Sequence, residues 1–156
     1  MVYARGTSVS VEKSRLEIET ILLRYGAKSF AYGRDEQQAM IQFAAHDRFV
    51  RFTLPLPDKK NFSQKLRRGY RVPRTRQEQQ DAWEQACRER WRSLVIAIKA
   101  KLEAVQCGIS EFEKEFLAYV VMPNGQTLAE VIQPKIAEAY AANDMPKLLG
   151  LPGPRD

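Results

Sequence analysis

The stretch KSFAYGRDEQQAMIQFAAHDRFVRFTLPLP, residues 28–57, decides the fold. It holds three short runs rich in aromatic and β-branched side chains, at 28–32, 38–44 and 48–54. Such side chains fit a pleated, half-buried surface. Turn-forming residues separate the runs, Gly33-Arg34-Asp35-Glu36 first and His46-Asp47 second. In the third run Val50, Phe52 and Leu54 share one face, and Phe49, Arg51 and Thr53 the other. The pattern predicts a three-stranded antiparallel meander with one face on a core. Pro55 and Pro57 end it, because proline cannot donate to a ladder.

On either side the period changes to that of a helix. Ser10 can cap a helix over 11–25, in which Val11, Ser14, Ile18, Ile21, Leu22 and Tyr25 form one buried stripe. Gly26 stops it with a left-handed cap. Residues 77–106 carry the strongest helical pattern, with Trp83, Cys87, Trp91, Leu94, Ile98, Leu102 and Val105 recurring at three- and four-residue steps. At 1.5 Å per residue this helix is about 45 Å long. Three short strands cannot cover that length, so part of it is expected to project beyond the core or to serve a homo-oligomer. Ser110-Glu111-Phe112-Glu113 reads as a capping box opening a short helix, and 118–122 as a fourth strand. Pro123-Asn124-Gly125 reads as a turn, and Thr127-Leu128-Ala129-Glu130 as a second capping box opening a helix toward Ala142, with Pro134 a point of kink or restart. The tail 145–156 is proline- and glycine-rich and is expected to be irregular. The fold class is α+β, one domain over residues 1–156.

Composition agrees with a packed domain. The chain has 156 residues, 44% hydrophobic and 28% charged, which excludes wholesale disorder. No apolar run reaches the length of a membrane span, and the N-terminus lacks the apolar core of a signal peptide, so an intracellular protein is expected. Cys87 and Cys107 lie 20 residues apart on one predicted helix, too far for a disulfide, and are expected as free thiols.

The net charge of +6 is not spread evenly. Residues 59–76, KKNFSQKLRRGYRVPRTR, contain Lys59, Lys60, Lys65, Arg67, Arg68, Arg71, Arg74 and Arg76 and no acid, and the rest of the chain is slightly acidic. Phe62 and Tyr70 sit among these cations. Lys and Arg neutralise phosphates and aromatic rings stack on unpaired bases, so these ten residues form a candidate nucleic-acid-binding segment. An acidic protein partner or plain solvation would fit the same charge run. With few apolar residues, plus Gly69 and Pro73, the segment is expected as a loop or partly ordered excursion.

Catalytic chemistry has little to draw on. The one histidine, His46, stands beside Asp47 in a turn, with no Ser or Cys in a nucleophile context. Asp35 and Glu36 are adjacent and diverge, and other acids are expected to pair with bases along helices, as in Glu84/Arg88. No phosphate-binding loop, dinucleotide fingerprint or metal-ligand spacing is present, so neither cofactor nor metal is expected.

The segments RYGAKSFAYG, VRFTLPLP, WEQACRERWRSLVIAIKAKLEAV and FEKEFLAYVVMPNGQTL resemble a family of small proteins encoded in bacteriophage and prophage genomes, over most of residues 8–142. That resemblance carries over no catalytic residue. It implies a phage context in the host cytoplasm: DNA replication, recombination, or interference with the host. The order of helix, meander, basic excursion and long helix is also similar to the core of Rad52-type single-strand annealing proteins. Together these set the expectation of a non-enzymatic protein that binds nucleic acid, single strands in preference. The alternative is a phage protein that inhibits or redirects a host factor.

Overall fold

The structure, a computed structural model, describes residues 3–144. It is α+β. Helix α1 (Val11–Arg24) leads into strands β1 (Ser29–Arg34), β2 (Gln38–Ala45) and β3 (Arg48–Pro55), which pair antiparallel in sequence order. A 3₁₀ turn (Lys59–Phe62) and a second, two-stranded sheet of β4 (Gln64–Arg67) and β5 (Tyr70–Pro73) follow. Then come the long helix α2 (Arg76–Gln106), the short α3 (Phe112–Phe116), a 3₁₀ turn (Leu117–Tyr119) and α4 (Leu128–Ala142). The tail 145–156 lies outside the described residues. No described helix is long and apolar enough to cross a membrane.

The meander forms as the sequence predicts, for two local reasons. Asp35 accepts the Gln37 and Gln38 amides at 2.8 and 2.7 Å, which fixes the first turn. These two amides hold the Asp35 carboxyl below its ordinary value. That turn is shorter than expected, because Gly33 and Arg34 belong to β1. The second turn has only two residues: Ala45 pairs with Arg48 across His46 and Asp47, at φ of 50° and 57°. Positive φ at both positions matches the right-handed twist of a hairpin.

One face of the meander is buried. Ala39, Ile41, Phe43, Val50 and Phe52 pack against Ile18 and Leu22 of α1, a row on α2, and Phe112 and Phe116 of α3. Cys87, Trp91, Val95, Ile98 and Leu102 are the fully buried positions of α2. Val95 therefore takes the core place expected of Leu94, which is only half-buried. Trp91 lies on the Tyr32 ring, centroids 5.7 Å apart, while Trp83 is half-buried nearer the helix start.

The length of α2 is used within the chain. Its first turns hold the 3₁₀ turn and the second sheet, and its middle holds α1 and the meander. Its end meets Lys101's partner Glu115 and the Tyr25 hydroxyl, which donates to Gln106 at 2.6 Å. Glu17 of α1 bridges Arg92 and Lys99, and these cations hold its carboxyl low, Lys99 most strongly. The expected Glu84/Arg88 pair is absent: Arg88 binds the Gln85 side-chain oxygen, and Glu84 accepts from Gln80. Cys87 is buried and Cys107 exposed, both as free thiols.

Two C-terminal expectations change. Ser110 does not cap α3. Its amide donates to Ala104 O in the turn that ends α2, and Glu111 stands at the N-cap without a side-chain bond. Residues 118–122 do not form a strand. Leu117–Tyr119 coil into the 3₁₀ turn, where Tyr119 packs on Phe52 at 4.2 Å, leaving single bridges from Val120 to Val50 and Val121 to Thr127. The Thr127/Glu130 capping box forms, and α4 runs through Pro134.

Trp91→Ala is expected to lower stability by about 3–5 kcal/mol in urea unfolding, since it empties a large buried site. Ser14 is fully buried on α1 with its hydroxyl unpaired. Ser14→Ala should therefore be neutral or stabilising by up to about 1 kcal/mol in the same assay.

Candidate nucleic-acid interface

The basic segment is an ordered hairpin, not a loop. Lys65 pairs with Val72, Leu66 with Arg71, and Arg67 with Tyr70, around a two-residue turn at Arg68-Gly69. Both turn residues have positive φ, 51° and 85°, as a type I′ turn requires. Asn-Gly is the usual marker of such a turn. Arginine in its first position hides the hairpin from a reading based on composition, and the short alternation of 64–67 and 70–73 is the signal that could have exposed it.

The root of the hairpin is fastened by part of the basic set. Arg74 donates to the carbonyls of Gln64 at 2.6 Å and Phe62 at 3.2 Å. Lys65 binds Glu78 in the first turn of α2, and Lys59 binds Gln80 two residues on. Glu78 also closes the capping box with Thr75, which the sequence reading missed. The Lys65 ammonium, and after it the Thr75 amide, hold the Glu78 carboxyl below its ordinary value. Phe62 is half-buried at the root. Lys59, Lys65 and Arg74 thus serve the fold as well as the charge.

The tip is different. The side chains of Arg67, Arg68 and Arg71 are exposed and make no hydrogen bond or ion pair among the described residues. Leu66 and Tyr70 keep 74% and 76% of their surface exposed. From the register, Arg67 and Tyr70 share one face of the ribbon, Leu66 and Arg71 the other. Each face thus offers one guanidinium beside one apolar group. Lys60 and Arg76, also exposed, flank the root.

His46 stands in the tight turn between β2 and β3. Its ring stacks on Phe112 at 4.3 Å, and no hydrogen bond joins it to Asp47. Among the described residues, no three His, Cys, Asp or Glu side chains are grouped as a metal ion would require. Comparison with models of known protein families, with curated proteins and with solved structures finds no match for this chain.

The root makes hairpin order depend on pH. The folded pKa of Glu78 lies below the 4.5 of a free glutamate, so its contribution is complete above that value and is lost as pH falls through the lowered one. Amide protection factors over residues 64–73 should hold above about pH 5 and fall at lower pH. Glu78→Gln should lower them at neutral pH and flatten the dependence, and Arg74→Gln should lower them at every pH.

Proposed function

We propose that this chain is a non-enzymatic nucleic-acid-binding protein whose basic hairpin grips the phosphate backbone, with single strands preferred. The supporting observation is the tip: Arg67, Arg68 and Arg71, free of internal partners, beside an exposed Tyr70. Unpaired guanidinium groups neutralise phosphates and release counterions. An exposed phenol ring stacks on a base that is not already stacked, which favours single strands. Among the ten candidate residues, the roles divide. Lys60, Arg67, Arg68, Arg71 and Arg76 meet the strand directly, Tyr70 stacks, and Lys59, Phe62, Lys65 and Arg74 hold the hairpin in position. In a phage, such a protein would serve recombination or replication, annealing included.

The second reading keeps the same surface and changes the partner. Leu66 and Tyr70 beside arginines also have the composition of a protein–protein anchor, which would suit an acidic face of a host protein. The two readings differ in salt dependence and in the target retained.

Fluorescence anisotropy with single- and double-stranded oligonucleotides at several salt concentrations separates them. Replacing Arg67, Arg68 and Arg71 by Gln should leave unfolding unchanged and lower the single-strand log–log salt slope by about 2, at roughly 0.7 per phosphate contact. Tyr70→Ala should cost about 1–3 kcal/mol of single-strand binding with the slope intact, because stacking releases no counterions. If the wild-type protein binds no nucleic acid at low salt, the hairpin belongs to a protein partner.

A further inference from the structure

Two clefts meet at Trp83. The larger, about 890 Å³, lies between the Asp35–Gln37 turn, Leu56, the 3₁₀ turn and Gln79. The smaller, about 370 Å³, continues past Trp83 toward Cys87 and the start of α1. Arg34, Leu56 and Trp83 line both, so the two lobes form one channel with the indole at its saddle. Each lobe lies within or near the size range of small-molecule sites, roughly 300–1,000 Å³.

The indole is fixed in place, half-buried and packed against the core on one side. Its Nε1–H donates to Pro57 O at 2.7 Å, which sets the plane of the ring. Lys59 Nζ and Arg34 Cζ stand 5.9 and 6.0 Å from the ring, at the outer limit of a cation–π contact. Both stand over the ring, so a base that stacks there displaces one of them.

Charge decides what the channel takes. In the larger lobe Arg34, Lys59 and Lys60 are balanced by Asp35, Glu36 and Asp58. Asp35 and Asp58 already accept backbone amides. Such a lining has no net attraction for a phosphate. It offers an aromatic face, the apolar Leu56, and the donor and acceptor ends of Lys60 and Glu36. A flat ring with polar edges fits that description, and a nucleobase is one. The phosphates have their own site at hand: Lys59 and Lys60 begin the basic segment, and Glu78, which anchors the hairpin, precedes Trp83 on α2 by five residues, about 7.5 Å of helix.

We infer that this channel receives one unpaired nucleobase, stacked on Trp83, from a strand whose backbone runs along the hairpin. The inference rests on the nucleic-acid reading above, and it adds a base-holding pocket separate from the hairpin tip. Stacking on one indole is worth roughly tenfold in affinity or more.

Tryptophan fluorescence titrated with oligothymidylate tests it, with a duplex of equal length and thymidine monophosphate as controls. The single strand should quench wild-type fluorescence. Trp83→Leu should remove the quench and weaken single-strand binding about tenfold or more with the salt slope unchanged, while duplex binding holds. Trp83→Phe keeps a ring in the channel. It should lose the quench and retain most of the affinity, and it decides the matter even if the Leu variant does not fold. A quench that persists in Trp83→Phe, or undiminished single-strand affinity in a folded Trp83→Leu, overturns the pocket; the nucleic-acid reading survives if the Arg67, Arg68 and Arg71 variant still loses binding. Quenching by the monophosphate at equal concentration would make this a free-nucleotide site and overturn the assignment to a strand. Absence of binding to any nucleic acid overturns both.

Discussion

Burial of the α2 stripe is the interaction on which the rest depends. Helix α2 has 31 residues, about 46 Å, and α1, α3, β3 and the 3₁₀ turn at Lys59–Phe62 lean on it. Cys87, Trp91, Val95, Ile98 and Leu102 carry the load, because burying each side chain is worth about 1.5–3 kcal/mol. The polar contacts along its length are of another kind. Pairs such as Lys65–Glu78 and Lys99–Glu17 are partly exposed, and solvent screens them. They do not drive collapse. They fix where along the helix α1 and the hairpin sit, and so they set position more than stability.

That division explains the order of the basic segment. A stretch with eight like charges and few apolar residues has no core of its own and would stay solvated if left alone. Here its root is tied to the rigid first turns of α2 and to its own carbonyls through Lys59, Lys65 and Arg74. The charges at the root are satisfied locally, and those at the tip are not. One run of sequence thus does two jobs, and composition alone cannot separate them.

What the sequence made legible follows the same line. Period carried the meander, α1 and α2, because burial on one face imposes period directly, and the Thr-x-x-Glu spacing carried the Thr127/Glu130 cap. Expectations failed where the deciding factor was not periodic. Val95 and Leu94 are adjacent, and only the direction in which α2 meets the sheet selects between them. Ser110 has the spacing of a cap, yet its amide is drawn into the turn closing α2. Residues 118–122 have strand composition, but the packing of Tyr119 on Phe52 requires a coiled turn first. At the candidate site, the charges and Tyr70 were legible; the hairpin was not, since Arg68 occupies a position where Asn or Gly is expected. The channel at Trp83 was not legible at all. It is made by Arg34, Leu56 and Lys59, which have no sequence pattern in common.

Arg68 also bears on why the tip exists. A left-handed backbone at a non-glycine residue costs about 1–2 kcal/mol. The hairpin accepts that cost at Arg68 and places Arg67 and Arg71 close by, where like charges repel. Leu66 and Tyr70 add apolar surface left in water. Folding alone favours none of these choices, since Asn at the turn and polar residues on the strands would form the same hairpin at lower cost. Two of the three costs would fall on a polyanion with exposed rings, whose phosphates screen the arginines and whose bases cover the apolar groups; the backbone cost at Arg68 stays. A surface that is unfavourable when free is a candidate binding surface, and a nucleic acid and an acidic protein face would each relieve it, with different salt dependence.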